Sequence, residues 1–311
     1  LHGEGHSFPT RRSSDLAPLD ADSVRAAARQ FRAEGIEAVA ICFLHAHVNP
    51  AHEAEARAIL EAEAPGLALT ASSEVLQEMK EYERTSTTVV NAYLLLAMRR
   101  YLARLTGALA EEGFAAPVLV MSSVGGMMGA ELAARKPVFV VGSGPAGGVA
   151  GAARLGRAGG ADDAIVFDMG GTTAKASIVA DGARTLTTEY EFRDGISSSS
   201  RFIKGGGYML KVPAIDIAEV GAGGGSIASL DPGGLLVVGP ESAGAEPGPA
   251  CYGLGNDRPT VTDANVVLGY FNPAGLVGGA LPIDRARAVR AVEEHIARPL
   301  GLGVAEAAHG I

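Results

Sequence analysis

Tryptophan is absent from this sequence of 311 residues, and aromatic residues make up only 5% of it. Lysine and arginine (26 residues) are fewer than aspartate and glutamate (35 residues), which gives a formal net charge of −9. No basic stripe is interleaved with aromatic residues, so the sequence argues against a nucleic-acid partner. No apolar run reaches the length that spans a membrane, and we expect no membrane partner.

Cysteine is also scarce, since the chain has only Cys42 and Cys251. Two cysteines build neither a disulfide framework nor a metal cluster, and such a composition is typical of a reducing compartment. We recognise no signal peptide. The sequence therefore predicts a cytoplasmic protein.

Glycine, by contrast, is abundant at 42 residues and falls in clusters, which indicates close backbone approaches. Helix and strand patterns alternate in the first half and strands dominate the middle, which predicts an α/β fold. The predicted elements include a strand at 138–141, a helix that begins at Asp263 and a final amphipathic helix at 284–300. We expect one continuous domain in two parts, 17–140 and 141–311. Residues 1–16 include HSFPTRRSSDL, which resembles a translated sequencing adapter. We interpret them as an artefact and expect a chain truncated at both ends.

The segment AIVFDMGGTTAKASIV (164–179) reads as strand, tight turn and strand. Asp168 ends the first strand, where it could bind hydrated Mg²⁺ or orient a water. The turn residues could surround an anion with backbone N–H groups and hydroxyls: Gly170, Gly171, Thr172 and Thr173. An ordinary glycine hairpin is the alternative interpretation.

Three further segments allow both a functional and a structural interpretation. The helix that begins near Pro145 could bind an anion or simply pack closely. The charged stretch 74–87 could supply a general base from Glu78, Glu81 or Glu83, or be a solvated approach to the helix 85–112. His45, His47 and His52 could ligate a metal or form a polar loop.

Six segments together resemble the hydantoinase/oxoprolinase family, in particular its HyuA-type subunit of the N-methylhydantoinase A and acetone carboxylase β type. They follow the family's order over nearly all of 17–311: EYERTSTTVVNAY (81–93), GSGPAGGVAGA (142–152), FDMGGTTAKASIV (167–179), DIAEVGAGGGSIA (216–228), VGPESAGAEPGPACYG (238–253) and PTVTDANVVLG (259–269).

This resemblance implies an actin/hexokinase-like (ribonuclease H-like) ATPase fold, here partial, with ATP and Mg²⁺ as cofactors. It implies that a cyclic amide, imide or ketone substrate is activated by phosphorylation of its oxygen, for ring opening or carboxylation. A HyuB-type partner subunit or domain is implied as well. The alternative is a non-catalytic, actin-like regulatory or assembly subunit that binds nucleotide.

The resemblance also assigns roles to individual residues. Asp168 and the four turn residues match the family's second phosphate loop, and Asp168 is both a catalytic and a metal candidate. Asp263 is a candidate for metal binding or helix capping, and Glu81 and Glu83 are catalytic candidates. The remaining nucleotide candidates are glycines and one serine: Gly144, Gly147, Gly223, Gly224, Gly225 and Ser226.

The sequence departs from the family pattern at three places. A second Asp-Gly-Gly-Thr loop, which the family carries near its N-terminus, is not found here. Val124 stands where an asparagine is expected, and Lys175 replaces an acidic residue that follows the loop in some relatives.

Overall fold

The structure is a computed structural model that describes residues 18–193, 196–198, 207–271 and 281–311. The segment 1–16 lies outside these ranges. The chain separates into two compact units, of which unit 1 comprises 1–150, 186–194 and 199–215, and unit 2 comprises 151–185, 195–198 and 216–311. Helices and strands both occur throughout the described ranges, which confirms the α/β class.

The α-helices are, in chain order: α1 Ala21–Ala33, α2 Ala51–Glu63, α3 Ser72–Val75, α4 Glu81–Glu111, α5 Ala130–Arg135, α6 Ser143–Ala158, α7 Val261–Leu268, α8 Arg285–Val292, α9 Arg298–Leu300 and α10 Val304–Gly310. The strands are: β1 Ala38–Ile41, β2 Ala68–Ala71, β3 Leu119–Met121, β4 Met127–Gly129, β5 Ala164–Met169, β6 Ala174–Ala180, β7 Ala183–Arg184, β8 Leu186–Thr187, β9 Tyr190–Arg193, β10 Ile196–Ser198, β11 Tyr208–Leu210, β12 Ala214–Ile215, β13 Ala218–Val220, β14 Ser226–Leu230 and β15 Leu236–Ser242.

Unit 1 begins with a parallel strand pair joined by a helix. β1 and β2 pair from Ala38↔Ala68 to Ile41↔Ala71, and α2 makes the crossover. Both strands are apolar, and they share a core with α1 and α2 because burial of small aliphatic side chains drives their packing. The buried members of this core are Ala28, Ile41, Ala56, Leu60, Ala64, Leu69 and Ala71.

Unit 2 contains an antiparallel sheet of order β13-β6-β5, with β7 also paired to β6. β14 and β15 form a separate hairpin. This hairpin and the C-terminal helices α7, α8 and α10 enclose the main core of the unit, whose buried residues include Cys251, Val266, Val292 and Ile296. Among the described helices, none is long and apolar enough to cross a bilayer.

Several predicted elements differ in the structure. Val138–Val141, predicted as a strand, lies largely in a 3-10 helix at Pro137–Val140, which begins at a proline. The long helix starts at Glu81 rather than at Thr85, so the acidic residues stand in its first turn.

The predicted helix 284–300 is not continuous either. A π-helical stretch at Glu293–Ala297 interrupts it just before Pro299, which has no N–H to donate to the preceding turn. α10 follows as an additional helix.

Candidate functional site

The hairpin β5–β6 forms as predicted from its apolar, β-branched strands. Its register runs from Ala164↔Val179 to Met169↔Ala174, and it places Asp168 directly opposite Lys175. Asp168 is exposed at the loop end of β5. Its carboxylate makes no hydrogen bond or ion pair within the ranges that the structure describes.

The hairpin loop (residues 170–173) is closed by the Gly170 N–H, which donates to the Thr173 carbonyl at 3.0 Å. The N–H groups of Gly171, Thr172 and Thr173 have no acceptor in the described part of the chain. Gly171 and Thr172 are exposed, and a Cβ added at Gly171 would meet open space. Several accessible backbone donors in one short loop are the arrangement that binds an anion.

The glycine turn (residues 221–226) packs directly against this loop. The N–H groups of Gly224 and Gly225 donate to the carbonyls of Gly170 and Gly171, at 2.9 and 2.6 Å. These bonds use the carbonyl oxygens of Gly170 and Gly171 and leave the N–H groups of residues 171–173 available. We call the hairpin loop and the glycine turn together the loop pair.

Glycine is required in this turn because the two backbones approach closely. A Cβ at Gly223 would lie 2.6 Å from the backbone nitrogen of Thr172 and from the carbonyl carbons of Gly171 and Thr172. A Cβ at Gly225 would lie 2.9 Å from the Ser242 hydroxyl oxygen and 3.0 Å from the Gly171 carbonyl oxygen. No side chain larger than hydrogen fits there without a backbone shift.

The N-terminus of helix α7 holds the glycine turn through a backbone hydrogen bond. The Thr262 N–H donates to the Gly224 carbonyl at 2.8 Å. Thr260 is the N-cap of α7 and Asp263 stands at its third position, and the two residues form a reciprocal capping box. α7 begins at Val261, so the predicted helix start at Asp263 is late by two residues, and Thr260 is the N-cap.

Asp263 is fully buried and all its bonding capacity is directed at the protein. One carboxylate oxygen accepts from the Cys251 N–H at 2.8 Å, and the other accepts from Ala250 and from both the N–H and the hydroxyl of Thr260. The capping alternative of the prediction is the one that this geometry shows. Metal binding by Asp263 stays a prediction, and the saturated carboxylate does not favour it.

Ser226 shapes the turn from inside. Its buried hydroxyl accepts from the Gly223 N–H at 2.9 Å, so its predicted contact with nucleotide has no support in this geometry. Thr262 and Ser242, which flank the glycine turn, were not predicted. A Thr-x-x-Asp capping pattern at 260–263 is the signal that could have located the helix N-terminus beside Thr262.

The other nucleotide candidates lie in unit 1. Gly144 and Gly147 belong to the first turns of α6, which begins at Ser143. A Cβ at Gly144 would meet open space, whereas one at Gly147 would contact the Met121 side chain at an ordinary 3.5 Å. Their predicted part in nucleotide binding stays a prediction.

The acidic candidates Glu81 and Glu83 also lie in unit 1, on the first turn of α4. Glu83 pairs with Lys80 at 3.4 Å. The pKa of Glu81 is lowered, chiefly because its own backbone N–H donates to the carboxylate, and the His45 backbone contributes. A lowered pKa makes a carboxylate a weaker base. Their catalytic role stays a prediction.

Arg84, on the same turn, is almost completely buried at 1% exposure. It donates to the carbonyls of Phe43 and Glu78, at 2.6 and 2.9 Å, and lies 2.9 Å from the His47 Nδ1 atom. It therefore joins the end of the β1 segment to the start of α4. The buried Arg84 side chain therefore has a structural role, because its hydrogen bonds fix the position of the charged segment.

Metal and thiol chemistry have no support from the other candidates. Within the described residues, no group of three or more His, Cys, Asp or Glu side chains could hold a metal ion. Burial raises the pKa of both the Cys42 and the Cys251 thiol, which disfavours the reactive thiolate.

Comparison with known protein families identifies the family to which this chain belongs. The hydantoinase/oxoprolinase family model matches residues 84–311, which include the whole loop pair, and the model of the family's N-terminal region matches residues 6–64. The chain belongs to the hydantoinase/oxoprolinase family.

Curated relatives of this family member include two enzyme subunits. Caprolactamase subunit alpha of Pseudomonas jessenii is 40% identical over 96% of the chain and 41% of its own length. Acetone carboxylase beta subunit of Xanthobacter autotrophicus is 33% identical over 96% of the chain and 40% of its own length. The chain thus spans about two fifths of these relatives.

Solved structures agree with the family assignment. The ATP-dependent caprolactamase from Pseudomonas jessenii matches with a TM-score of 0.68 at 40% identity, over 95% of this chain and 41% of that chain. A nucleotide-free acetone carboxylase matches with a TM-score of 0.74 at 33% identity, over 94% and 40%. The hydantoinase-type ATPase fold is therefore shared.

Proposed function

We propose that this chain is the nucleotide-binding part of an ATP-dependent enzyme that activates a cyclic amide, imide or ketone by phosphorylation. Ring opening by water breaks the C–N bond of the cyclic amide or imide and leaves a carboxylate and an N–H group, whereas a ketone substrate is carboxylated. The observation that carries this proposal is the loop pair. Among the described residues, the backbone N–H groups of 171–173 have no acceptor, whereas the carbonyls of Gly170, Gly171 and Thr173 each accept a backbone hydrogen bond. Relatives that are described as ATP-dependent support the choice of ligand.

The residues present fit ATP and Mg²⁺. The open space beside Gly171 leaves room for a phosphate, and the loop N–H groups supply its donors. Mg²⁺ commonly binds through one or two carboxylates together with substrate phosphates and water, and the accessible carboxylate of Asp168 suits that role. ATP supplies a phosphoryl group that turns a poor carbonyl electrophile into a reactive one. The loop pair would hold and orient that phosphate.

Three finer statements belong to the same proposal. The antiparallel sheet β13-β6-β5 with its glycine loop supports an actin/hexokinase-like, ribonuclease H-like fold for unit 2. A HyuB-type partner is supported by the relatives, which are named as subunits of their enzymes. A cytoplasmic location is proposed from the two free cysteines.

The test is ATP hydrolysis by the complete protein with its partner subunit, in the presence of hydantoin, 5-oxoproline, caprolactam or acetone. Stimulation by one of these compounds is expected. Asp168→Asn is expected to lower turnover by about a hundredfold or more while the thermal unfolding midpoint is kept. The exposed Asp162, before the same hairpin, provides the matched control Asp162→Asn.

Unchanged hydrolysis in Asp168→Asn would contradict the role of this carboxylate. ATP binding without stimulation by any of the four compounds would instead favour a regulatory or assembly subunit.

A further inference from the structure

Three charged residues form one row across the sheet of unit 2, beside the hairpin loop. Asp168 on β5 is directly opposite Lys175 on β6, and Lys175 is directly opposite Glu219 on β13. Directly paired residues of neighbouring strands project from the same face of a sheet. The lysine therefore lies between two acidic residues.

Lys175 does not contact the two acids equally. Its Nζ atom lies 2.9 Å from the Oε1 atom of Glu219, whose side chain is only 6% exposed. The same Nζ atom makes a short hydrogen bond to the Thr173 hydroxyl. The lysine, at 21% side-chain exposure, is thus held by a buried carboxylate and directed at the hairpin loop.

The chemistry of the two groups fixes the direction of the bond to Thr173. An ammonium group has only donors, whereas a hydroxyl has one donor and two acceptor positions. Thr173 must therefore accept from Lys175, which leaves the hydrogen of its hydroxyl free to be donated elsewhere. A bond from a cation also strengthens the hydroxyl as a donor.

We propose that Lys175 is a positioning residue that acts through Thr173. It orients the Thr173 hydroxyl as a phosphate donor of the hairpin loop, and Glu219 anchors the lysine for this task. The inference rests on the proposed function, because the phosphate in question is that of ATP. It also explains what a lysine at position 175 would do in this chain, where some relatives carry an acidic residue.

Lys211 in unit 1 is a matched structural lysine. It pairs with Glu78 and lies 3.8 Å from Glu189, at a side-chain exposure of 15%. Its environment resembles that of Lys175 in burial and charge, but among the described residues its ammonium group makes no hydrogen bond to a loop hydroxyl. Replacing it tests what the loss of a half-buried lysine does by itself.

The experiment measures ATP affinity and the thermal unfolding midpoint in the complete protein with Lys175→Met, Thr173→Val and the double variant. Each single change is expected to weaken ATP binding about tenfold, the size of one charge-assisted hydrogen bond. If the lysine acts through the threonine, the double variant binds ATP no more weakly than Thr173→Val. Thr173→Ser keeps the hydroxyl and is expected to bind like the unchanged protein, as is Lys211→Met.

Independent, multiplied losses in the double variant would overturn the inference, because the lysine would then act on the phosphate directly. Unchanged ATP affinity in Lys175→Met would overturn it as well. Should that variant unfold because the buried Glu219 loses its ion pair with Lys175, Lys175→Met with Glu219→Gln removes the buried charge and carries the same expectation. Failure of the unchanged protein to bind ATP would instead refute the proposed function.

Discussion

The loop pair of unit 2 and the first turn of α4 in unit 1 are both predicted functional regions, yet they are built in opposite ways. In the loop pair, the backbone N–H groups of Gly171, Thr172 and Thr173 have no acceptor among the described residues. The turn 81–84 instead carries three charged side chains that contact protein partners. Glu83 pairs with Lys80, and Arg84 donates to two backbone carbonyls.

This difference shows which kind of evidence identifies a binding site. The charged residues of the turn 81–84 suggest a functional site, but most of their hydrogen bonds and ion pairs are made to other residues of unit 1. Glycines carry no chemistry of their own, but they expose backbone donors and permit the close approach seen at Gly223. The loop pair, whose N–H groups at 171–173 are available to a ligand, is therefore the stronger candidate for a binding site.

The largest expected effect comes from breaking the support of the loop pair. Asp263→Ala leaves three buried backbone N–H groups without their acceptor, and we expect a loss of about 3–5 kcal/mol in the free energy of unfolding. Asp284→Ala is the matched control, because Asp284 caps α8 in the same unit but is half exposed. Its expected cost is about 1 kcal/mol. Chemical denaturation measures both.

Intact stability in Asp263→Ala, together with a changed Mg²⁺ requirement, would point to the metal role instead.

A smaller effect is expected from filling the space between the two loops. Gly223→Ala places a Cβ 2.6 Å from backbone atoms of 171–172, so we expect a loss of about 1–3 kcal/mol in stability and weaker ATP binding. In Gly107→Ala, on the exposed face of α4, the Cβ meets open space and stability should rise by about 0.5–1 kcal/mol. Equal changes of stability in Gly223→Ala and Gly107→Ala would show that the close approach at Gly223 does not distinguish the loop pair from α4.

The smallest effect is expected from Glu81→Gln, on the opposite side of the comparison. Stability should change by less than about 0.5 kcal/mol, because the Glu81 side chain is 39% exposed and its ion pair with Arg84 is long, at 3.9 Å. ATP binding is expected to be unchanged, and Glu83→Gln serves as the control. A large loss of turnover with ATP affinity intact would make Glu81 catalytic and would reverse our ranking of the two regions.

The pH dependence gives a further readout of the same variant. The pKa of Glu81 lies below its ordinary value of 4.5, so any stabilisation it provides is complete above about pH 4.5 and is lost as the pH falls through the lowered pKa. The stability profiles of Glu81→Gln and the unchanged protein should therefore coincide in shape between pH 6 and 8, a range chosen well above that value.

Local chemistry made much of this fold predictable. The hairpin β5–β6 follows from apolar strands around Gly-Gly-Thr-Thr, and α1 begins after Asp20, whose side chain accepts from two N–H groups of the first turn. Val138 was misassigned because a short apolar run has no period that separates a strand from a 3-10 helix. Pro137 at the start of that run was the overlooked sign.

The site was predictable only in part, for a different reason. The glycines of both loops were identified, but the roles of Thr262, Lys175 and Glu219 depend on contacts between segments distant in sequence. No local pattern shows that the Gly224 carbonyl meets α7 or that β13 lies beside β6. Likewise, the burial of Arg84 follows from tertiary packing and not from its neighbours along the chain.

The bonds from Gly224 and Gly225 to Gly170 and Gly171 also have a consequence for the order of folding. The hairpin is a local structure and can form early, whereas the glycine turn reaches it only after a long loop has closed, which costs chain entropy and time. During synthesis the ribosome releases β5 and β6 well before the turn and α7. The loop pair is therefore complete only when the segment that carries the glycine turn has packed against the hairpin.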